Sequence, residues 1–145
     1  MKINFSFNEI DKIIKEQFLP RINKCKIFTF KGPLGAGKTT IIKEILKTCG
    51  VEKIVTSPTF NYVNSYKTKS GKTFHHFDLY RLDSLDSFLS LGLDEYFYEE
   101  NSICFVEWPK IIETLLNDVN IKKYVCKIVL SFDESGSKKR LLKID

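Results

Sequence analysis

The feature that most constrains the fold is an eight-residue glycine-rich run, Gly32-Pro33-Leu34-Gly35-Ala36-Gly37-Lys38-Thr39. It satisfies the pattern G-x-x-x-x-G-K-[ST], in which backbone N–H groups of a loop converge on a polyphosphate. A short β-rich run, Lys26 to Phe30, precedes it, and residues 39–49 carry apolar side chains at helical spacing. The loop therefore lies between a strand and a helix whose free N-terminal N–H groups attract anions.

The rest of the chain predicts an α/β fold: a three-layer P-loop NTPase with a mixed sheet, central parallel strands and antiparallel hairpins. The continuously apolar run Ile103 to Val106 is typical of a central parallel strand covered on both faces. One predicted hairpin joins Phe60–Tyr66 to Thr73–Phe77, and a closing hairpin joins Tyr124–Phe132 to Leu141–Ile144 around Ser135-Gly136-Ser137. With 145 residues, 43% of them apolar, we expect one domain over residues 1–145.

Several local signals predict further elements. Ser6 and Glu9 form a capping-box pattern before an amphipathic helix that we expect to end at Pro20. Val51 to Ser57 is a strand candidate, and Asp83 is a candidate cap for a helix through Leu91.

Composition narrows the setting of the protein. The four cysteines are widely spaced, without a Cys-x-x-Cys pair, which favours free thiols in a reducing compartment. No apolar run approaches the ~20 residues of a membrane span, and the first residues lack a signal-peptide core. We therefore expect a cytoplasmic protein without membrane contact. The net charge of +5 permits an RNA-associated or acidic partner without requiring one.

Each position of the glycine-rich run has a predicted role in holding a nucleotide. The backbone from Gly32 to Gly37 forms the phosphate cradle, and the Lys38 ammonium neutralises the β and γ phosphates. The Thr39 hydroxyl is a magnesium ligand, and Thr40 is placed to hydrogen-bond the α phosphate. No motif identifies the adenine contacts, for which Ser6, Phe7 and Arg140 are guesses.

Hydrolysis also needs a carboxylate near the metal and a group that positions water, and two acids compete for these roles. Glu107 follows the most apolar strand, which favours it as the metal ligand, whereas Asp78 follows a less apolar one. We assign Glu107 to magnesium and Asp78 to water orientation, although the two roles are exchangeable. The alternatives are purely structural roles, a strand-end carboxylate for Glu107 and a helix N-cap for Asp78.

A loop about twenty residues beyond the cradle, Ser57-Pro58-Thr59-Phe60, lies where switch-type NTPases sense the γ phosphate, and Thr59 is the candidate sensor. The alternative is an ordinary proline turn. Trp108 either shields the site from water or belongs to the core. Because His75 and His76 are neighbours on a strand, they point to opposite faces and cannot share a metal, which favours structural roles. Arg81 contacts either phosphate, a partner or a surface acid.

The motifs Gly32 to Thr40, Ser57 to Phe60, His76 to Leu82, Gly92 to Tyr96 and Glu107-Trp108-Pro109 occur in this order. In this combination the chain resembles the bacterial TsaE (YjeE) family over nearly its whole length. The resemblance implies an ATPase required for threonylcarbamoyladenosine modification of tRNA at the adenosine beside the anticodon. It implies ATP and Mg²⁺ as cofactors, held by Lys38, Thr39 and Glu107, with Asp78 and Thr59 around the reacting phosphate.

The resemblance also implies partners, namely a threonylcarbamoyl-transferase complex of TsaB- and TsaD-type proteins that ATP hydrolysis resets between cycles. Contact with tRNA would then be indirect or shared with the complex. Two other functions stay open from the residues. A small-molecule kinase shares the P-loop, although no lid insertion is visible, and a non-hydrolysing module would use ATP only to stabilise an interaction surface. GTP is disfavoured because no Asn-Lys-x-Asp sequence occurs.

Overall fold

A computed structural model describes residues 1–135 and 138–145. Its centre is a seven-stranded mixed sheet with the strand order β1-β7-β6-β2-β5-β4-β3. The strands are β1 (Lys2–Phe5), β2 (Ile27–Lys31), β3 (Val63–Lys67), β4 (Thr73–Asp78), β5 (Ser102–Glu107), β6 (Val125–Phe132) and β7 (Arg140–Ile144). Strands β6, β2, β5 and β4 run parallel, whereas β3, β7 and β1 pair antiparallel at the two edges. The predicted mixed sheet is confirmed.

Helices connect the parallel strands. They are α1 (Ile10–Ile13), α2 (Leu19–Ile22), α3 (Lys38–Thr48), α4 (Leu85–Ser90), α5 (Glu113–Leu116) and α6 (Val119–Lys122), with 3₁₀ segments at Phe7–Glu9, Leu93–Tyr98 and Pro109–Ile112. A π-helical stretch, Ile14–Phe18, joins α1 to α2. Among the described residues, none of these helices is long and apolar enough to cross a membrane.

The sheet is covered on both faces, as the continuous apolar run in β5 predicts. All six residues of β5 are buried. Phe28, Phe30 and Phe105 belong to a core cluster on the face of α3, and Phe77 and Val106 belong to a second cluster on the opposite face. Each helix layer buries its apolar side against the sheet, and hydrophobic burial on both faces gives the three-layer arrangement.

The structure corrects several local predictions. Residues 51–57, all of which the structure describes, form no strand. The first helical region passes Pro20 and ends at Ile22. Proline has no N–H to donate to the helix, and the π-helical stretch Ile14–Phe18 lies directly before it. Ser84, not Asp83, caps α4 by accepting a hydrogen bond from the Ser87 N–H. The predicted turn at Gly136 and Ser137 lies outside the described residues.

Candidate phosphate-binding site

The loop between β2 and α3 requires glycine at two positions for steric reasons. A Cβ on Gly32 would lie 2.2 Å from the backbone oxygen of Leu130. Gly37 has a φ of +109°, and a Cβ there would lie 2.3 Å from the Phe7 ring. Only glycine lets the β6 backbone approach position 32 this closely, and at position 37 the left-handed φ would strain any other residue.

Lys38 is the first residue of α3, and its side chain folds back over the loop. Its ammonium group donates hydrogen bonds to the carbonyl oxygens of Gly32 and, at 3.0 Å, Pro33. It also lies 4.0 Å from the centroid of the Trp108 ring, a cation–π contact. Trp108 itself has a left-handed backbone conformation with a φ of +60°, directly after β5. The ammonium is thus held at the mouth of the loop.

Three charged groups surround this mouth and influence one another. Burial lowers the pKa of Lys38, and the carboxylates of Glu107 and Asp78 partly offset that effect. Burial raises the pKa of Asp78, an effect that the Tyr80 N–H opposes by donating a hydrogen bond of 3.1 Å to its carboxylate. Such opposed perturbations within one cavity are typical of functional sites.

Glu107 is the last residue of β5, and its carboxylate is held from two sides. The Thr39 hydroxyl lies 2.8 and 2.9 Å from the two carboxylate oxygens, which share its single proton. On the other side, Nε2 of His76 lies 2.6 Å from Oε2. His76 is fully buried, and Glu107 is 3% exposed. The structure therefore joins the two predicted metal ligands and adds a histidine that sequence reasoning treated as structural.

The signal for His76 was present in the strand pattern. β4 runs parallel to β5, with Asp78 opposite Glu107 and His76 opposite Phe105. Side chains two residues apart on a strand share a face, so His76 lies on the face of Glu107. Sequence alone does not give the strand order, so it did not show that β4 is the neighbour of β5.

A cavity of about 330 Å³ opens at this point. It is lined by Leu34, Gly35, Gly37, Lys38, Thr39, Thr40, Ser57, Asp78, Glu107 and Trp108. Of the residues assigned to the cradle, Gly32, Pro33 and Ala36 do not line it; their backbone supports the loop, and Ala36 is buried. Both candidate acids and Lys38 thus converge on one cavity.

Thr59 lies elsewhere. It lines an adjoining cleft of about 210 Å³ together with Arg81, and the two cavities share Ser57 and Asp78 as wall residues. Of the residues in that loop, Ser57 lines the phosphate cavity and Thr59 does not. The prediction for Thr59 therefore stays untested by the geometry.

The residues guessed as adenine contacts support the loop from behind. The Arg140 guanidinium donates a 3.1 Å hydrogen bond to the carbonyl oxygen of Ala36 and lies over the Phe7 and Phe132 rings, at 5.4 and 4.5 Å. Ser6 forms the predicted capping box with Glu9. These contacts attach β7 and the first helical segment to the glycine loop.

The site is compatible with a metal ion held mainly by a nucleotide. Among residues 1–135 and 138–145, no group of three or more His, Cys, Asp or Glu is arranged to hold a metal. The four cysteines are free, and burial raises the pKa of the Cys126 thiol to about 12, which makes it a poor ligand. The two predicted metal ligands, Thr39 and Glu107, both line the cavity with side-chain oxygens.

The family model for threonylcarbamoyl adenosine biosynthesis protein TsaE matches residues 6–140 of the chain. The chain belongs to the TsaE family. It is 39% identical over 120 residues to the tRNA threonylcarbamoyladenosine biosynthesis protein TsaE of Rickettsia felis, covering 76% of this chain and 68% of that one. It is 41% identical over 90 residues to the Bacillus subtilis TsaE, covering 62% and 54% of the two chains.

The fold is similar to the crystal structure of Bacillus subtilis YdiB, with a TM-score of 0.69 and 27% identity over 99% of this chain and 84% of that one. The TsaE family takes part in tRNA threonylcarbamoyladenosine biosynthesis and binds nucleotides. The P-loop and the cavity beside it are the part of this TsaE fold that fits a nucleotide.

Proposed function

We propose that the chain is a magnesium-dependent ATP hydrolase of the tRNA threonylcarbamoyladenosine pathway, built as one domain over residues 1–145 and acting in the cytoplasm. The observation that carries the proposal is the contact of 2.8 Å between the Thr39 hydroxyl and the Glu107 carboxylate, in the cavity that Lys38 also lines. These three groups are the ones that a P-loop ATPase needs next to the γ phosphate.

The nucleotide contacts follow from the loop. In the proposed complex, backbone N–H groups of Leu34, Gly35 and Gly37 and of the first turn of α3 bind the phosphates, where an anion meets the positive end of the helix dipole. In the proposed complex, the Lys38 ammonium exchanges its loop carbonyl partners for phosphate oxygens, and Thr40 reaches the α phosphate. Thr59 approaches the γ phosphate only if its loop moves from the adjoining cleft.

Magnesium fits the oxygen donors at the cavity. Mg²⁺ prefers hard oxygen ligands and is usually held by one or two protein groups together with phosphates and waters. The Thr39 hydroxyl and the Glu107 carboxylate are two such groups, already in contact. When bound, the ion would supply charge neutralisation for the phosphates and the developing leaving group.

The remaining steps belong to side chains of the chain itself. Lys38 neutralises phosphate charge, and Asp78, whose pKa burial raises, accepts a hydrogen bond from the attacking water and orients it. His76 keeps the Glu107 carboxylate turned toward Thr39. Trp108, which lines the cavity and whose ring lies 4.9 Å from that of Tyr80, shields the mouth from bulk water.

The proposed partner is a threonylcarbamoyl-transferase complex of TsaB- and TsaD-type proteins, which hydrolysis resets between cycles. The chain contacts tRNA only indirectly or in shared fashion through this complex. The net charge of +5 is compatible with both kinds of contact.

The deciding experiment measures phosphate release by the wild type, Lys38→Ala and Glu107→Ala, each alone and with the reconstituted transferase complex and tRNA. We expect weak hydrolysis by the wild type alone, stimulation by the complex, and a fall of about 100-fold or more in both variants, since each removes charge stabilisation worth several kcal/mol. Equal turnover in all three proteins would refute the site assignment, and phosphate transfer to a small acceptor would favour a kinase.

A further inference from the structure

Charge is distributed unevenly along the chain. The segment from Leu82 to Pro109 contains no Lys or Arg, although the whole chain has 23 of them. The same segment carries seven acids: Asp83, Asp86, Asp94, Glu95, Glu99, Glu100 and Glu107. Six of these precede β5, in the region of α4 and the 3₁₀ helix Leu93–Tyr98. A basic protein thus has one strongly acidic surface region, which repels phosphates and attracts cations.

A large cleft opens on this acidic region. It has a volume of about 670 Å³, about twice that of the phosphate cavity. Its walls come from residues 60–63, before and at the start of β3, and from residues 91–99. Among the residues that the structure describes, Glu95 and Glu99 are the charged ones that line the cleft, and no Lys or Arg lines it.

The rim of the cleft exposes large apolar side chains. Phe60 is 90% exposed and Leu91 is 57% exposed, and both line the cleft. Tyr98, the last residue of the 3₁₀ helix that lines the cleft, is 60% exposed. Grouped aromatic and aliphatic side chains with a polar border are typical of protein interfaces, where aromatic anchors supply much of the binding energy.

The two carboxylates are available to a partner. Within the described residues Glu95 has no ion pair. Glu99 lies 3.3 Å from Nε2 of His75, but burial lowers the pKa of His75, which leaves this imidazole neutral at neutral pH. The nearby Lys26 ammonium donates to the backbone oxygen of Glu99 at 2.6 Å. The cleft therefore keeps a net negative charge.

We propose that this acidic cleft, lined by Phe60, Tyr62, Leu91, Glu95, Tyr96 and Glu99, docks a basic amphipathic segment of the partner protein complex. An apolar side chain of that segment packs against Phe60 and Leu91, and a Lys or Arg lies between the two glutamates. For the identity of the partner, this inference rests on the proposed function. Nucleic acid is disfavoured as the occupant because its phosphates would face both carboxylates.

The cleft is also joined to the phosphate cavity. Tyr62 lines the acidic cleft and the adjoining cleft of Thr59, and it has a left-handed backbone with a φ of +62°. Its carbonyl oxygen accepts a 2.9 Å hydrogen bond from the N–H of Asp78, which lines the phosphate cavity. A segment docked against residues 60–62 thus contacts backbone that is hydrogen-bonded to Asp78, the proposed water-orienting acid.

The test measures binding of a fluorescently labelled chain to the reconstituted transferase complex by anisotropy, at about 50 and about 200 mM salt. The variant is Glu95→Lys with Glu99→Lys, and the matched control is Asp11→Lys with Glu16→Lys, which makes the same change in net charge on the first helical region. At low salt we expect the Kd of the cleft variant to rise at least about tenfold, and at high salt we expect a smaller rise. The Kd of the control should change less than about twofold.

Two milder substitutions guard against misfolding. Glu95→Gln with Glu99→Gln should raise the Kd severalfold, and Phe60→Ala should raise it at both salt concentrations because it removes an apolar contact. A photo-reactive benzophenone side chain in place of Leu91 should crosslink to a segment of the complex that contains Lys or Arg. Unchanged binding in the cleft variants, or no binding of the wild type to the complex, overturns the inference.

Phosphate release measured on the same preparations separates this inference from the proposed function. Loss of binding in the cleft variants, with no ATP hydrolysis by any protein, would leave the docking cleft standing and refute the hydrolase. Hydrolysis by the wild type with normal binding by the cleft variants would do the reverse. Crosslinking of Leu91 to tRNA or to a second copy of the chain would identify another occupant and refute the docking of a basic protein segment.

Discussion

The two faces of β4 carry adjacent histidines in opposite environments. His76 lies behind the phosphate cavity, where its Nε2 is 2.6 Å from the carboxylate of Glu107, a residue that lines the cavity. His75 lies on the opposite face, where its Nδ1 is 2.6 Å from the Ser65 hydroxyl and its Nε2 is 3.3 Å from Glu99, a residue that lines the acidic cleft. Both imidazoles are buried. The two sides therefore differ in which carboxylate contacts the imidazole and in how exposed that carboxylate is.

That difference separates two kinds of site. On the phosphate side, Glu107 is buried and already hydrogen-bonded to two side chains, an arrangement suited to holding a ligand in one geometry. On the cleft side, Glu99 has a half-exposed carboxylate beside exposed apolar groups, an arrangement suited to a macromolecular partner. A single strand therefore connects a proposed reaction site with a proposed docking site.

The largest expected effect comes from exchanging the two carboxylates for amides. Glu107→Gln should lower phosphate release about 100-fold, about 2.7 kcal/mol, because it removes the charge proposed to hold the metal. Glu99→Gln should leave phosphate release by the isolated chain within about twofold and weaken binding to the transferase complex. Equal losses of hydrolysis in the two variants would contradict the assignment of Glu107 to the reaction site and Glu99 to the docking site.

Two glycines with positive φ test the packing of each side. Gly37→Ala should lower the free energy of unfolding by about 2 kcal/mol, because it combines a left-handed conformation with a Cβ 2.3 Å from Phe7. Gly92→Ala meets only ordinary contacts, the shortest 3.6 Å from Glu95, and should cost about 1 kcal/mol. Urea denaturation measures both, and equal losses would show that the Phe7 ring yields easily.

The histidines give the next effect. His76→Ala should lower phosphate release about tenfold, roughly 1.4 kcal/mol, because Glu107 loses the group that orients it. His76→Asn should restore part of that loss if its amide still reaches the carboxylate. His75→Ala should leave phosphate release within about twofold. A similar loss of stability without any kinetic difference between the two alanine variants would assign His76 a purely structural role.

The smallest effect is a dependence of stability on pH. Burial lowers the pKa of His75, so below the ordinary value of about 6.5 the unfolded chain binds more protons than the folded one. Stability should therefore fall as pH decreases from 7.5 to about 5.5, and His75→Gln should reduce that fall by up to about 1 kcal/mol. Urea midpoints across this range measure it, and identical pH profiles for the two proteins would contradict the prediction.

Much of the fold followed from local patterns. The apolar run of β5 predicted a buried central strand, and both hairpins pair antiparallel as expected. Val51 to Ser57 failed as a strand because β-forming residues do not fix pairing without a neighbouring edge to join. The edge strand β1 was missed because it is short and pairs with β7, which is distant in sequence.

The sequence by itself determined the phosphate loop, since Gly32, Gly37, Lys38 and Thr39 are residue types whose backbone freedom, charge and hydroxyl act locally. It also predicted Glu107 at the end of a buried strand. Only the tertiary structure decided that His76 contacts Glu107, that Ser57 lines the cavity while Thr59 does not, and that Arg140 holds the loop from behind. Those contacts depend on strand order and on pairs of residues far apart in the chain, which local propensity does not encode.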